Sequence, residues 1–113
     1  IFRHKKINKS EKVLRNLLSK TVSNKYKYVG NGKYWIINFN PDFININGQK
    51  KIIELYGCYW HKCPKCKFGN KRTIDIGRIK TYKKYGYQTL IVWEHELKNL
   101  DKVKTNILKF NKK

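Results

Sequence analysis

The chain has 113 residues, with 27 Lys and Arg against 7 Asp and Glu, giving a formal charge of +20. This length supports one small core and excludes two independent ones. The charge balance calls for a polyanionic partner, and no apolar run approaches the roughly 18 residues a membrane-spanning helix needs.

Apolar residues make up 40% of the chain and aromatics 14%. That is enough to fold, yet a core of this size gains from a metal or disulfide staple. The lysines are spread along the whole sequence, not gathered on one amphipathic helix, which favours nucleic acid over a membrane surface. A lysine bias from genome composition is the bland account of the same charge. No signal-peptide pattern opens the chain, so an intracellular place is expected: cytoplasm or nucleoid, or nucleus in a eukaryotic host. Methionine is absent even at position 1, as expected of a processed chain or a piece of a longer protein. The sequence leaves the oligomeric state open.

In chain order, residues 1–9 form a basic arm, followed by a single domain over 10–113. Ser10 is the expected cap of a helix over 10–20, with Val13, Leu14, Leu17 and Leu18 on one stripe. Asn31-Gly32 between two aromatic-rich runs, 26–29 and 33–39, predicts a hairpin. A strand then follows Pro41-Asp42, Asn47-Gly48 turns the chain, and residues 51–56 form the next strand. A loop rich in Cys, Lys and Gly covers 57–71, and a helix over 72–85 stops at Gly86. The apolar segment 89–93 predicts a strand buried on both faces. A last helix begins near Asn99 and carries Leu100, Val103, Ile107 and Phe110 on one side. The pattern predicts an α/β domain, a mixed sheet flanked by helices.

Cys58, Cys63 and Cys66 lie within nine residues, and Cys63-Pro-Lys-Cys66 has the C-x-x-C spacing that lets two thiolates share one tetrahedral zinc ion. An odd cysteine count argues against a closed disulfide framework, and a redox pair would leave Cys58 unexplained. His4, His61 and His95 are the candidates for a fourth ligand, and spacing does not choose among them.

The seven acids include two on adjacent predicted strands, Asp42 and Glu54. Paired as a hairpin, those strands bring both carboxylates to one end of the sheet. There they repel unless a hard cation such as Mg²⁺ lies between them. Pro41-Asp42, eleven residues, then Glu54-Leu55-Tyr56 follows the PD-(D/E)-x-K nuclease pattern, with tyrosine in the usual lysine place.

Gly57-Cys58-Tyr59-Trp60-His61 resembles the G-C-F-W-H signature of very-short-patch repair (Vsr-like) endonucleases and of related phage homing endonucleases, the E-D-x-H-D group. Ser10-Glu11-Lys12 resembles the opening of that family's first helix, and Pro41-Asp42-Phe43 its metal-binding strand. Asp75, eleven residues before Gly86, resembles its helix acid, and Leu90-Ile91-Val92-Trp93-Glu94 its final strand. The resemblance covers roughly residues 10–97 and implies a restriction-endonuclease-like fold with one structural zinc. The ligands it implies are Cys58, Cys63, Cys66 and His95. Two of these, Cys63 and His95, exchange Cys for His relative to the repair enzymes, a swap that zinc tolerates.

The same resemblance implies a metal-dependent DNA endonuclease acting on double-stranded DNA. Asp42 would hold Mg²⁺ with Glu54 or the Leu55 carbonyl, and His61 would be the general base, helped by its ordinary pKa of about 6.5. Glu11 and Asp75 would orient a water or His61, and the products would carry 5′-phosphate and 3′-hydroxyl ends. Tyr59 and Trp60 match aromatics that wedge into the base stack. Lys62, Lys65, Lys67, Lys71 and Arg72 would contact phosphates.

Each residue also has a plainer role. Glu11 suits a helix N-terminus electrostatically, Asp75 could pair with Arg72 or Arg78, His61 could bind zinc, and Trp60 could pack on the cysteine loop. Leu55-Tyr56 stands where the repair enzymes have Thr-His, which favours a homing or mobile-element-type nuclease over a mismatch-specific nickase. A zinc-dependent DNA-binding module without catalysis is the reading from a different class. It would need the zinc ligands but no convergence of Asp42, Glu54, Glu11 and Asp75.

Overall fold

The computed structural model describes residues 6–58 and 76–113. Helix α1 (Lys9–Thr21) leads to strands β1 (Tyr26–Tyr28), β2 (Phe43–Asn45) and β3 (Lys51–Tyr56). Helix α2 (Ile76–Lys84), strand β4 (Gln88–Trp93), a 3₁₀ turn (Glu94–Lys98) and helix α3 (Leu100–Lys112) complete the order. The strands lie in the order β1-β2-β3-β4. β1, β2 and β3 pair antiparallel, whereas β3 and β4 pair in parallel over six residues, from Lys51 opposite Gln88 to Tyr56 opposite Trp93. The expected mixed α/β sheet with flanking helices is therefore the fold observed.

Alternation along the strands divides the core between the two faces of the sheet. Phe43 and Ile53 point to one face, where Leu14 and Leu18 of α1 and Val103, Ile107 and Phe110 of α3 cover them together with Val92. Ile44 and Ile52 point to the other, where Tyr82 of α2, Val29 and Ile36 close over them. Full burial of side chains such as Leu14, Ile53 and Ile107 stabilises by about 1.5–3 kcal/mol each. Among the described residues, no helix is long and apolar enough to cross a membrane.

Three local expectations change. Asn8, not Ser10, caps α1: its side chain accepts from the Glu11 amide at 2.8 Å while Glu11 Oε1 accepts from the Asn8 amide at 2.9 Å, a reciprocal capping box. The run 33–39 is not the second strand of a hairpin. It forms a looped segment in which only Ile36 and Phe39 bridge, and β1 pairs instead with β2. The reason lies in Asn40, whose amide donates to the carbonyls of Val29 and Tyr34, both at 2.7 Å, and folds the run back on itself. Finally, the segment expected to be buried on both faces is not: in β4 Val92 is buried while Thr89, Leu90, Ile91 and Trp93 are half-buried, and a 3₁₀ turn opens directly after Trp93, with Glu96 accepting from its amide at 2.8 Å. Gly86 stops α2 as expected, at φ +90° with its amide on the Lys83 carbonyl. The expected start of that helix at residue 72 lies outside the described residues.

Candidate active site

The register that aligns Phe43 with Ile53 and Ile44 with Ile52 sets Asp42 opposite Glu54 when extended by one residue. The structure ties them together through the backbone: the Leu55 amide donates to Asp42 Oδ2 at 2.8 Å. The Asp42 carbonyl meanwhile accepts from the amides of Val29 and Gly30, at 2.8 and 3.1 Å, which fixes the start of β2 against the end of β1. Both carboxylates open on a cavity of about 550 Å³ that Glu11, Leu55, Arg78 and Glu94 also line.

Glu54 is 2% exposed, and its environment is unusual for a charged group. Tyr82 donates its hydroxyl to Glu54 Oε2 at 2.6 Å, and Arg78 Nη1 approaches the same oxygen at 3.4 Å. Burial, and then the charge of Asp42, nevertheless raise the Glu54 carboxyl to about 8, against the opposing pull of Tyr82 and Arg78. The same carboxylate and burial drive the Tyr82 phenol upward, with burial the larger cause. Arg78 is held by more than Glu54. Its Nη1 lies 3.3 Å from both the Asn40 carbonyl and the Tyr82 hydroxyl, and its guanidinium covers the Phe39 ring at 5.0 Å.

Glu11 is buried and reaches the cavity from α1, where Tyr28 donates its hydroxyl to Oε1 at 3.2 Å. The Tyr28 phenol is raised by burial first and by the Glu11 charge second. Ser10 Oγ donates to Glu94 Oε2 at 3.2 Å, joining α1 to the end of β4. Of the residues expected in the site, Glu11, Asp42 and Glu54 line one cavity, while Asp75 and His61 lie outside the described residues. So do Tyr59, Trp60, Lys62, Lys65, Lys67, Lys71 and Arg72.

Glu94, Arg78, Tyr82 and Asn40 belong to the same site without having been singled out for it. Glu94 carried a usable signal, since it directly follows a predicted strand, which the structure pairs parallel to the one bearing Glu54. Carboxyl ends of parallel strands share one edge. Arg78 and Tyr82 carried none beyond their i, i+4 spacing on one helix face.

At the edge of the sheet, Cys58 is buried and its Sγ lies 3.2 Å from His95 Nδ1, with the His95 amide donating to the same sulfur at 3.4 Å. Two ligands of one zinc, at about 2.3 Å for sulfur and about 2.0 Å for nitrogen, stand roughly 3.5 Å apart. The pair thus fits half of the expected zinc site. Cys63 and Cys66, the other half, lie outside the described residues. Among the described residues, no three His, Cys, Asp or Glu side chains come together as a metal cage.

No protein-family model matches the chain. It is 27% identical over 110 residues to the Type II nicking enzyme V.NmeAIP of Neisseria meningitidis serogroup A, covering 85% of this chain and 74% of that protein. Its structure resembles the Homing Endonuclease I-Bth0305I Catalytic Domain, with a TM-score of 0.65, 25% identity and coverage of 92% of this chain and 94% of that one. The chain is thus similar in sequence to a nicking enzyme and in structure to a homing endonuclease catalytic domain, which supports a DNA endonuclease.

Proposed function

We propose that the chain is a Mg²⁺-dependent DNA endonuclease domain of the Vsr-like and homing type, with a structural zinc. The observation that carries this reading is the juxtaposition of Asp42 and Glu54 in one cavity, where each disfavours the other's charge. Two mutually repelling carboxylates beside the Leu55 backbone suit a hard divalent cation, which takes oxygen ligands and offsets that repulsion. The nuclease likenesses reported above supply the class of reaction. When bound, Mg²⁺ would polarise the scissile phosphate and stabilise the leaving 3′ oxygen.

The chain's own residues do the rest. The Leu55 amide holds Asp42 in one orientation, and Tyr82 and Arg78 hold Glu54 in another. Both carboxylates are therefore placed before substrate arrives. His61, by resemblance, takes the proton of the attacking water, with Asp75 orienting it. Glu11 is fixed by the Asn8 amide and the Tyr28 hydroxyl and lines the same cavity. Convergence of Glu11, Asp42 and Glu54 favours an enzyme over a zinc-dependent binding module, which would need no such cluster. Cys58, Cys63, Cys66 and His95 are the proposed zinc ligands.

The deciding experiment is incubation of supercoiled plasmid with the protein and Mg²⁺, alongside folded Asp42→Ala. Nicked or linear product from the wild type alone is expected. Equal cutting by both, or none by either while DNA is bound, overturns the assignment. The likeness to a nicking enzyme favours one further reading, a strand-specific nickase, and product that stops at the open circle would select it.

A further inference from the structure

Tyr26 and Tyr28 of β1 pack toward α1 and α3, so alternation sets Lys27 on the other face of the sheet, directly across the ladder from Ile44. On that face a hollow of about 530 Å³ opens over Val29 and Ile44. Its rim carries three lysines from three segments: Lys27 of β1, Lys33 of the 33–39 run and Lys50 of the turn between β2 and β3. All three are exposed. Among the described residues no acid lines the hollow. Three like charges around one opening repel each other unless an anion lies among them.

The rim is braced. Lys50 Nζ donates to the Tyr85 carbonyl at 3.0 Å and stands 5.3 Å over the Tyr87 ring. Gly86 leaves room for that path: a Cβ there would come within 3.2 Å of Lys50 Cδ and 3.5 Å of Nζ. Lys33 and Tyr34 belong to a run that Asn40 holds through the Tyr34 carbonyl, at 2.7 Å. Ile36 and Phe39 close the run with two backbone bonds around a tight turn. There Ile37 takes φ +57°, a strained conformation for a branched residue. The Tyr34 and Tyr87 hydroxyls share a hydrogen bond of 3.0 Å, which ties the run to the connection that holds Lys50.

The hollow adjoins the candidate active site. Gly30 and Trp35 line the cavity of Asp42 and Glu54, whereas their chain neighbours Val29 and Tyr34 line the hollow. Ile44 on its floor is two residues from Asp42, about 7 Å along the strand. Each strand of a duplex carries a phosphate about every 3.4 Å of helix axis. A phosphate bound beside Asp42 therefore brings the next few on its strand to the three lysines. Lysine is a strongly hydrated point charge on a flexible stem. Three of them on separate segments suit a chain of anions better than one ion.

We propose that the hollow of Lys27, Lys33 and Lys50 is a second DNA-contact site, which holds backbone phosphates flanking the bond cut at Asp42 and Glu54. Its choice of anion rests on the nuclease reading, and it adds three residues to the phosphate contacts expected of the 62–72 segment. Its contacts are with phosphate alone, so it supplies affinity and register on any sequence.

The test is fluorescence anisotropy with a labelled blunt DNA duplex, titrated at several salt concentrations without added Mg²⁺. Wild type is compared with a triple variant of the hollow, Lys27→Ala with Lys33→Ala and Lys50→Ala. A control carries Lys102→Ala, Lys104→Ala and Lys109→Ala. It removes the same charge from exposed positions of α3, which packs on the other face of the sheet. Each lost phosphate contact flattens the plot of log K against log salt by about 0.9. The hollow variant is therefore expected to lose about 2–3 in slope, and about tenfold or more in affinity at physiological salt. The control is expected to lose less than about 1 in slope. Circular dichroism confirms that the variants fold, and Lys27→Ala with Lys33→Ala, which leaves Lys50 in place, is expected to lose about 2. The proposal is overturned if the hollow variants keep the wild-type slope, if the control loses as much as they do, or if wild type binds no duplex. Plasmid cleavage by the wild type with Mg²⁺, read in parallel, reports on the nuclease assignment alone: cutting with an unmoved slope sinks this site and leaves that assignment standing.

Discussion

Cys58 and His95 each stand two residues beyond a directly paired position, Tyr56 opposite Trp93, and their side chains meet at 3.2 Å. Parallel pairing of β3 with β4 brings this about: equal steps past paired residues arrive at the same place. The paired Tyr56 and Trp93 also touch through their rings, T-shaped with centroids 5.3 Å apart.

That geometry gives a prediction about metal content. Purified protein is expected to carry about one zinc per chain, and Cys58→Ser, His95→Ala and Cys63→Ser each to lose it. Because ligand binding energy becomes folding energy in small metal domains, a strong chelator should lower the melting temperature by many degrees. Elemental analysis with a thermal melt checks this. A metal-free protein with an unchanged melt would remove the zinc site from the description.

Glu54 makes stability depend on pH in a direction that can be worked out. Its folded pKa lies above the ordinary carboxyl value of 4.5, chiefly through burial. The protonated form is therefore favoured in the fold. Its contribution is complete below about pH 4.5 and is lost as the pH rises through about 8. Without divalent cations, wild-type stability should fall across this window relative to Glu54→Gln, which does not titrate. Mg²⁺ should restore the wild type at the alkaline end and leave the glutamine variant unmoved. Parallel melts of the two proteins with the same slope would show that Glu54 is ionised throughout.

Tyr82 is fully buried, and its hydroxyl donates to a buried carboxylate at 2.6 Å. Tyr82→Phe removes that donor while keeping the ring that packs beneath Ile52 and Ile44. The expected cost is about 1–3 kcal/mol, the penalty for a buried acceptor that loses a partner. Chemical denaturation measures it. A loss below about 0.5 kcal/mol would mean that water or Arg78 replaces the bond.

Much of this arrangement was legible in the sequence because it follows from periodicity and turns. The stripes Leu14–Leu18 and Val103–Ile107–Phe110, the Gly86 stop and the Asp42–Glu54 hairpin are local patterns that the fold respects. The 33–39 run was misread as a strand because its composition is that of a strand. What decided its fate was a side chain outside the run, Asn40, competing for its carbonyls. Arg78 was not legible as a site residue either, and Glu94 only through its place directly after a strand. Their place depends on the β3–β4 crossover and the contact of α1 with the 3₁₀ turn after β4, which no short-range pattern encodes.

The strained turn yields a stability prediction of opposite sign to most substitutions. Ile37 holds φ +57° with its side chain mostly in solvent, so little packing offsets the strain. Ile37→Gly should remove a penalty of roughly 1–2 kcal/mol and give back about half of it through the freer unfolded chain. The net gain, up to about 1 kcal/mol, corresponds to a melting temperature several degrees higher. Unchanged or lower stability would show that the Ile37 side chain contributes contacts that outweigh its backbone.

Glu11 combines two roles that a single substitution can separate. As the third residue of α1 it closes the capping box with Asn8, and as a cavity wall it accepts from Tyr28. Glu11→Gln keeps a carbonyl oxygen able to accept from both the Asn8 amide and the Tyr28 hydroxyl, so stability should stay within about 0.5 kcal/mol of wild type. Glu11→Ala should cost about 1 kcal/mol through loss of the cap. Plasmid cleavage distinguishes the roles. If the charge of Glu11 acts on the reaction, the glutamine variant loses activity by at least tenfold while remaining as stable as wild type. If Glu11 only secures the helix, the glutamine variant cuts like wild type, and any deficit in the alanine variant disappears at temperatures where it is fully folded.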